Sequence, residues 1–125
     1  MTFQHTYAIG TPGTPWGAEE KSAWLEAQSI KRSYRDLVVS QIEAIRQSQS
    51  TLVSVEQYGA LPCDTEKYGL WAIKSLDWRK GNPVILITGG VHGYETSGVH
   101  GALRFVESEL SNYAERYNFI VTPCI

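Results

Sequence analysis

Apolar residues recur at helical spacing in two segments of the chain. From about residue 22 to residue 47 the apolar positions advance by three and four residues, as on the buried face of an amphipathic helix. Residues 96–111 repeat this spacing, with Val99, Val106 and Leu110 on one face. The pattern therefore predicts two helices that each bury one side.

Four short segments rich in β-branched and aromatic residues read as strands. Residues 51–57 and 68–76 are separated by a turn region, which favours an antiparallel hairpin. Residues 84–88 are continuously apolar, which is typical of a strand buried on both faces in the middle of a sheet. Residues 118–122 follow the second helix, so this crossover makes the last two strands parallel. We expect an α/β fold, a mixed parallel and antiparallel sheet flanked by helices in an α/β/α sandwich.

The length of the chain and the positions of its glycines and prolines predict an irregular leader followed by one domain. Residues 10–15 hold two glycines and two prolines, so residues 1–21 are predicted to be irregular, with Trp16 as an anchor. The 125 residues suit a single domain, which we place at 22–125. The four tryptophans are spread over leader, helix, strand and turn, which favours core packing over a ligand-stacking surface.

The composition of the chain argues against several classes of function. The net charge of −2 argues against a nucleic-acid-binding protein, which usually carries a basic surplus. No apolar run approaches the roughly 20 residues of a membrane-spanning helix, so no membrane partner is expected. The first residues have no basic cluster followed by an apolar stretch, which predicts a cytoplasmic protein without a signal peptide. Cys63 and Cys124 have no paired spacing and are interpreted as small apolar residues rather than a disulfide or metal motif.

The segment with candidate chemistry follows the apolar strand 84–88. Gly89 and Gly90 begin a polar loop that carries His92 and Glu95. Imidazole and carboxylate are both ordinary zinc ligands, and a separation of three residues lets one tight turn aim both at one point. Loops at the carboxyl ends of strands are where open α/β sheets bind ligands. An ion pair at a helix start is the alternative interpretation, but the glycine-rich setting favours a metal site.

A third zinc ligand is harder to find in the sequence. His100 is predicted to lie two helical turns beyond His92 and to be a surface or packing residue. His5 falls in the leader, and Asp64 or Asp77 would be a ligand without any motif to support it. Two protein ligands make a weak zinc site, and hydrolysis needs a third ligand and a base.

Residues 84–98, with the apolar strand, the glycines, His92-x-x-Glu95 and the start of a helix, resemble the first metal-binding motif of the zinc metallocarboxypeptidases. The order of strands and helix extends this resemblance over about residues 50–125. The His92-Gly93-x-Glu95 form is also similar to the related deacylase branch, which includes succinylglutamate desuccinylase and aspartoacylase.

The resemblance implies a carboxypeptidase-like fold and a hydrolase that uses zinc to activate water for cleavage of a C-terminal peptide (amide) bond. His92 and Glu95 match the first two zinc ligands. The third ligand, a histidine, and the general base, a glutamate, are implied beyond Ile125. No catalytic residue is therefore assigned within this chain, and its substrate-binding residues are unknown.

Two other functions stay open at this point. One is a zinc-dependent deacylase that acts on small N-acyl amino acids. The other is a truncated, non-catalytic relative that acts as a binding module. The expected partners are a peptide or N-acyl amino acid substrate and the remainder of the catalytic domain, because the chain resembles only the amino-terminal part of such a domain. Uncovered strand edges lead us to expect that the isolated chain is unstable or associates with further protein.

Overall fold

The computed structural model describes residues 8–125, so His5 and the rest of the first seven residues lie outside the described part. The chain divides into two compact units, Met1–Arg32 and Ser33–Ile125. Residues 8–32, the described part of the first unit, contain one helix, α1 (Ala18–Glu26). This helix begins within the stretch that was expected to be irregular, at the point where the glycine and proline signals end.

Local contacts organise the described part of the first unit. The Gly17 amide donates to Glu20 Oε2 at 2.9 Å, which satisfies one of the free N–H groups at the start of α1. Gly10 has a φ of +83°, and a Cβ there would stand 2.7 Å from Trp16 Nε1. The Trp16 indole thus packs over a backbone position that requires glycine. All residues of α1 are partly or fully exposed.

The single helix predicted over 22–47 is wrong, because α1 ends at Glu26 and helical structure resumes only after Ser33. The Ser33 hydroxyl accepts a hydrogen bond from the Asp36 amide at 3.2 Å, which is how a serine starts a helix. A π-helical turn (Arg35–Val39) then leads into α2 (Ser40–Ser48). The apolar spacing continues past Ser33, so the prediction missed the new helix start that this serine could have indicated.

The second unit is built on two hairpin strands and a crossover. Its remaining elements are β1 (Val53–Ala60), β2 (Gly69–Ser75), β3 (Val84–Thr88), α3 (Thr96–Ser108), α4 (Leu110–Tyr113) and β4 (Asn118–Thr122). The four strands agree with the predicted ones to within three residues at each end. The predicted helix 96–111 occurs as two helices, with the break at Glu109.

The four strands form one mixed sheet in the order β1-β2-β4-β3. β1 pairs antiparallel with β2, with a shift of register between Gln57 and Gly59. β2 pairs antiparallel with β4, and β4 pairs parallel with β3. The predicted hairpin, the parallel pair and the mixed α/β architecture are confirmed.

One hydrophobic core joins the helices to one face of this sheet. It includes Ile42 and Ile45 from α2, Leu103 from α3, and Phe119 and Val121 from β4. Each of these side chains is almost completely buried. Amphipathic helices bury their apolar face in this way, so the packing predicted for both helical segments is found for α2 and α3.

The position predicted for β3 is wrong. β3 lies at the edge of the sheet, and Val84 and Leu86 on the side away from the core are 52% and 62% exposed. Ile85 and Ile87, on the other side, pack partly against the core. A continuous apolar run shows that the residues on both sides of a strand are apolar. It does not show that other elements cover both sides, and one side of β3 is uncovered within the second unit.

Three of the four tryptophans and one of the two cysteines are more exposed than the sequence predicts. Trp16, Trp24 and Trp78 are each more than two-fifths exposed, and only Trp71 packs against the core. Both cysteines are free thiols, as expected, but Cys63 is exposed rather than a packed apolar residue. Among the described residues, no helix is both long and apolar enough to cross a membrane.

Candidate metal centre

The loop after β3 is fixed to the carboxyl ends of two parallel strands. The Gly89 amide donates to the Thr122 carbonyl at 3.0 Å, and the Ile125 amide donates to the Gly89 carbonyl at 3.2 Å. These bonds extend the β3–β4 pairing by one residue at the start of the loop. The loop therefore begins at the sheet end where α/β proteins bind ligands.

Two glycines allow the backbone of the loop to pack closely against its neighbours. A Cβ on Gly89 would stand 2.7 Å from the carbonyl oxygens of both Gly98 and Pro123. Gly90 has a φ of +73°, and a Cβ there would stand 3.0 Å from Cys124. Gly93 has open space around it, so the close approach predicted for the glycines holds for the first two only.

His92 and Glu95 lie side by side across a tight turn. The Glu95 amide donates to the His92 carbonyl at 2.9 Å, and α3 begins at the next residue. His92 Nδ1 and Glu95 Oε2 are 3.2 Å apart, and the two side chains are 63% and 58% exposed. In this structure the two side chains therefore form the hydrogen-bonded pair at a helix start that was the alternative interpretation of the motif.

This spacing suits two ligands of one metal ion. Two atoms that lie about 2.0–2.1 Å from a tetrahedral zinc stand about 3.3 Å apart, close to the observed separation of 3.2 Å between His92 Nδ1 and Glu95 Oε2. The chemistry of the pair, an imidazole and a carboxyl group, also suits zinc. The same distance is that of a hydrogen bond, so the spacing is compatible with both arrangements, and the two residues would supply two protein ligands if zinc were bound.

The cleft beside the pair has a volume of about 260 Å³. Its lining includes Thr88, Ser97 and Gly98, which were not singled out in the sequence. Tyr94 stacks on the His92 ring, with 6.4 Å between ring centroids and 20° between planes. Both rings are largely exposed, and the spacing of His92 and Glu95 gave no indication of this contact.

The other ligand candidates do not join this pair. His100 lies in α3 and lines a different groove with Gln41 and Arg104, as expected for a surface or packing residue. The Asp64 side chain accepts from the Lys67 amide, and Asp77 pairs with Arg79. Within residues 8–125, no three histidine, cysteine or acidic side chains come together to hold a metal.

Burial favours the protonated forms of two side chains, Cys124 and Tyr34. Burial raises the pKa of the Cys124 thiol, which disfavours the reactive thiolate. Burial, with smaller contributions from Cys124 and Tyr58, raises the pKa of Tyr34 to about 12. The Tyr34 hydroxyl donates to the Gly69 carbonyl at 2.6 Å. Neither group supplies an acid or a base near neutral pH.

The family comparison agrees with this fold and this loop. The family model described as zinc carboxypeptidase matches residues 21–121. The chain therefore belongs to the zinc carboxypeptidase family.

Solved structures share the fold at low sequence identity. A candidate metallopeptidase from Shewanella amazonensis SB2B is 23% identical with a TM-score of 0.58, and the match covers 69% of this chain and 30% of that one. Bovine thrombin-activatable fibrinolysis inhibitor, solved with a tick carboxypeptidase inhibitor, is 24% identical with a TM-score of 0.57, covering 74% and 30%. A candidate metallopeptidase from Shewanella denitrificans OS217 is 20% identical with a TM-score of 0.59, covering 78% and 40%.

These alignments span only 30% to 40% of the length of the three solved chains. No curated protein sequence matches the chain. The carboxypeptidase-like fold is thus shown by the family model and by structural similarity together.

Proposed function

We propose that this chain is the part of a metallocarboxypeptidase-like hydrolase that supplies two zinc ligands, His92 and Glu95. The hydrolase in this proposal cleaves a C-terminal peptide bond. The observation that carries the proposal is the His92–Glu95 pair, whose ligand atoms are 3.2 Å apart at the carboxyl end of β3. The zinc carboxypeptidase family match, which includes both residues, supports the same assignment.

Each part of the loop has a separate role in this proposal. Gly89 and Gly90 hold the loop against β4, and the turn closed by the Glu95 amide fixes the two ligands relative to each other. When bound, zinc supplies a Lewis acid that polarises a carbonyl and lowers the pKa of a coordinated water. The cleft lined by Thr88, Ser97 and Gly98 leaves space in which a scissile amide can approach.

Further polypeptide is part of the proposal. A hydrolytic zinc site needs a third ligand and a general base besides His92 and Glu95. The parts that match this chain make up 30% to 40% of the solved relatives. We propose that the third ligand and the base come from polypeptide outside these 125 residues, in a cytoplasmic protein.

A deacylase of small N-acyl amino acids is the second candidate. It is favoured by Gly93, which gives the ligand pair its His-Gly-x-Glu form. Gly93 meets no neighbouring atom that would forbid a side chain, so the fold alone does not require glycine there. The two candidates share the same metal ligands and differ in the substrate that enters the cleft.

Zinc binding by the whole protein that contains this chain tests the ligand assignment. We expect His92→Ala and Glu95→Gln each to weaken zinc affinity by more than about 10-fold, since each removes a ligand and the loss of a residue that only orients a ligand already costs about 10-fold to 100-fold. Competition with a chromogenic chelator measures the affinity. His100→Ala is the matched control and should bind zinc as the unmodified chain does. Equal affinity in all four proteins would contradict the assignment.

Activity is tested on the whole protein that contains this chain. Release of the C-terminal amino acid from an N-blocked dipeptide is expected, and it should be lost in His92→Ala. Hydrolysis of N-acyl amino acids with no cleavage of peptides would overturn the peptidase in favour of the deacylase. Zinc binding without either hydrolysis would support the third possibility, a non-catalytic binding module.

A further inference from the structure

The two edges of the sheet differ in how they are protected against further pairing. β1, at one edge, carries the exposed charge of Glu56 and changes register between Gln57 and Gly59. Charges and irregularities of this kind discourage an edge strand from pairing with another chain. β3, at the other edge, has the sequence Val-Ile-Leu-Ile-Thr, without charge or proline, and its register is regular. The edge at β3 is therefore the one that a further strand can join.

Every second residue of β3 directs its backbone groups away from β4. The Asn118 amide donates to the Pro83 carbonyl at 2.9 Å, and the Gly89 amide donates to the Thr122 carbonyl at 3.0 Å. Successive residues of a strand point their N–H and C=O groups to opposite sides, so the odd-numbered residues of β3 bond to β4. Within residues 8–125, β4 is the only strand that pairs with β3. The backbone groups that point to the outer edge are those of Val84, Leu86 and Thr88.

An apolar groove lies along the core side of the same edge. It has a volume of about 250 Å³. Its lining consists of aliphatic and aromatic side chains: Ile85, Ile87, Phe105, Tyr113, Tyr117 and Phe119. A water takes about 30 Å³ in the liquid, so the groove has room for about eight non-hydrogen atoms, the size of one aromatic or two aliphatic side chains. Because Ile85 and Ile87 belong to β3, a strand that pairs with β3 would direct every second side chain towards this groove.

We propose that a strand from the polypeptide outside these 125 residues pairs with β3 through Val84, Leu86 and Thr88. Large apolar side chains at alternate positions of this strand fill the groove. A strand meets both needs of the edge, because its backbone supplies donors and acceptors while its side chains alternate between two faces. This inference rests on the proposed function, in which the same protein includes further polypeptide.

A segment of the same polypeptide is the occupant for two reasons. The solved relatives are matched over only 30% to 40% of their length, so proteins of this fold have ample further chain from which a strand can come. A connected strand also pairs without the translational and rotational entropy cost of a separate partner. An edge with no charge, proline or irregularity is an aggregation hazard when left open, and a strand of the same protein removes that hazard.

Hydrogen exchange in the whole protein that contains this chain tests the pairing residue by residue. The amides of Ile85 and Ile87 bond to β4 and should exchange slowly in either case. The amides of Val84, Leu86 and Thr88 should also exchange slowly, at least about 100-fold below the rates of unstructured peptides. Fast exchange at these three positions, beside slow exchange at Ile85 and Ile87, would overturn the proposal.

A charge in the groove tests whether apolar side chains fill it. Tyr113→Lys, at a tyrosine that is 38% exposed, should displace the apolar side chain and speed exchange at Leu86 and Thr88 by more than about tenfold. Slow exchange at Ile87 shows that the variant folds. Tyr58→Lys, at a 49% exposed tyrosine of β1, is the matched control and should leave these rates unchanged. Equal rates in the two variants would contradict the filled groove.

Dilution identifies the source of the strand. Protection that persists over an about 100-fold dilution supports a strand of the same polypeptide, because association between separate chains follows mass action. Protection that is lost on dilution would mean a second copy or another protein and would overturn the proposal. None of these measurements involves zinc or catalysis, so a failure of the proposed hydrolysis is distinguishable from a failure of the strand pairing.

Discussion

β3 and β4 are neighbouring parallel strands of five residues each, and most side chains of both are apolar. β4 lies inside the sheet between β2 and β3, and Phe119 and Val121 are no more than 1% exposed. β3 lies at the edge, where Ile85 and Ile87 on the core side are only partly buried and Leu86 on the other side is 62% exposed. Similar composition thus gives different degrees of burial within one sheet.

The difference comes from which neighbours each strand has. β4 receives hydrogen bonds on both edges and helices on its core face, whereas β3 has one strand partner and a face without a covering layer in Ser33–Ile125. The loop that carries His92 and Glu95 begins at the end of the edge strand but is hydrogen-bonded to the end of β4 through Gly89. The site therefore depends on the buried strand, although its residues follow the exposed one.

The largest expected contrast between the two strands is in the loss of a big apolar side chain. Phe119→Ala removes a buried ring that packs on Phe105 at a centroid distance of 5.3 Å, and should lower the free energy of unfolding by about 3–5 kcal/mol. Leu86→Ala should change it by only about 0.5 kcal/mol, because that side chain is already exposed. Urea denaturation measures both. Equal losses would mean that β3 is covered in solution.

The second contrast concerns the loop glycines. A methyl group at Gly89 meets two backbone oxygens at 2.7 Å, which cannot move without separating β3 from α3 and β4. We expect Gly89→Ala to cost about 2–3 kcal/mol of unfolding free energy and to weaken zinc binding as well. Gly93→Ala is the control, since its Cβ meets nothing within 4 Å. Thermal unfolding with a zinc titration compares the pair, and a neutral Gly89→Ala would show that the loop is not held against β4.

The smallest contrast is at the first residues of the two strands. Asn118 is 1% exposed, and its side chain accepts from the Arg79 amide and donates to the Arg79 carbonyl, both at 2.9 Å. Asn118→Ala should cost about 1–2 kcal/mol because these backbone groups lose their partner. Val84→Thr, at the paired position of β3, should cost about 0.5 kcal/mol or less. A smaller effect for Asn118 than for Val84 would contradict the bonding described here.

Local patterns predicted the strands better than the helices. The continuous apolar run identified β3 at its observed ends, and the crossover rule identified its parallel partner β4. The helix predicted over 22–47 failed because periodicity does not register a break, and the start of the second helix depends on one hydrogen bond from the Asp36 amide to Ser33. Boundaries set by single side chains are easily missed by a pattern that spans many residues.

The sequence by itself determined the order of the strands and the proximity of His92 and Glu95, because these two residues are joined by a short turn whose geometry is local. Only the tertiary structure decided that β3 is the edge strand and that two carbonyl oxygens approach Gly89 too closely for a side chain. Each of these depends on residues far apart in the chain. How deeply a residue is buried and how closely two segments approach depend on which elements pack together. Periodicity and spacing can be read along the chain alone.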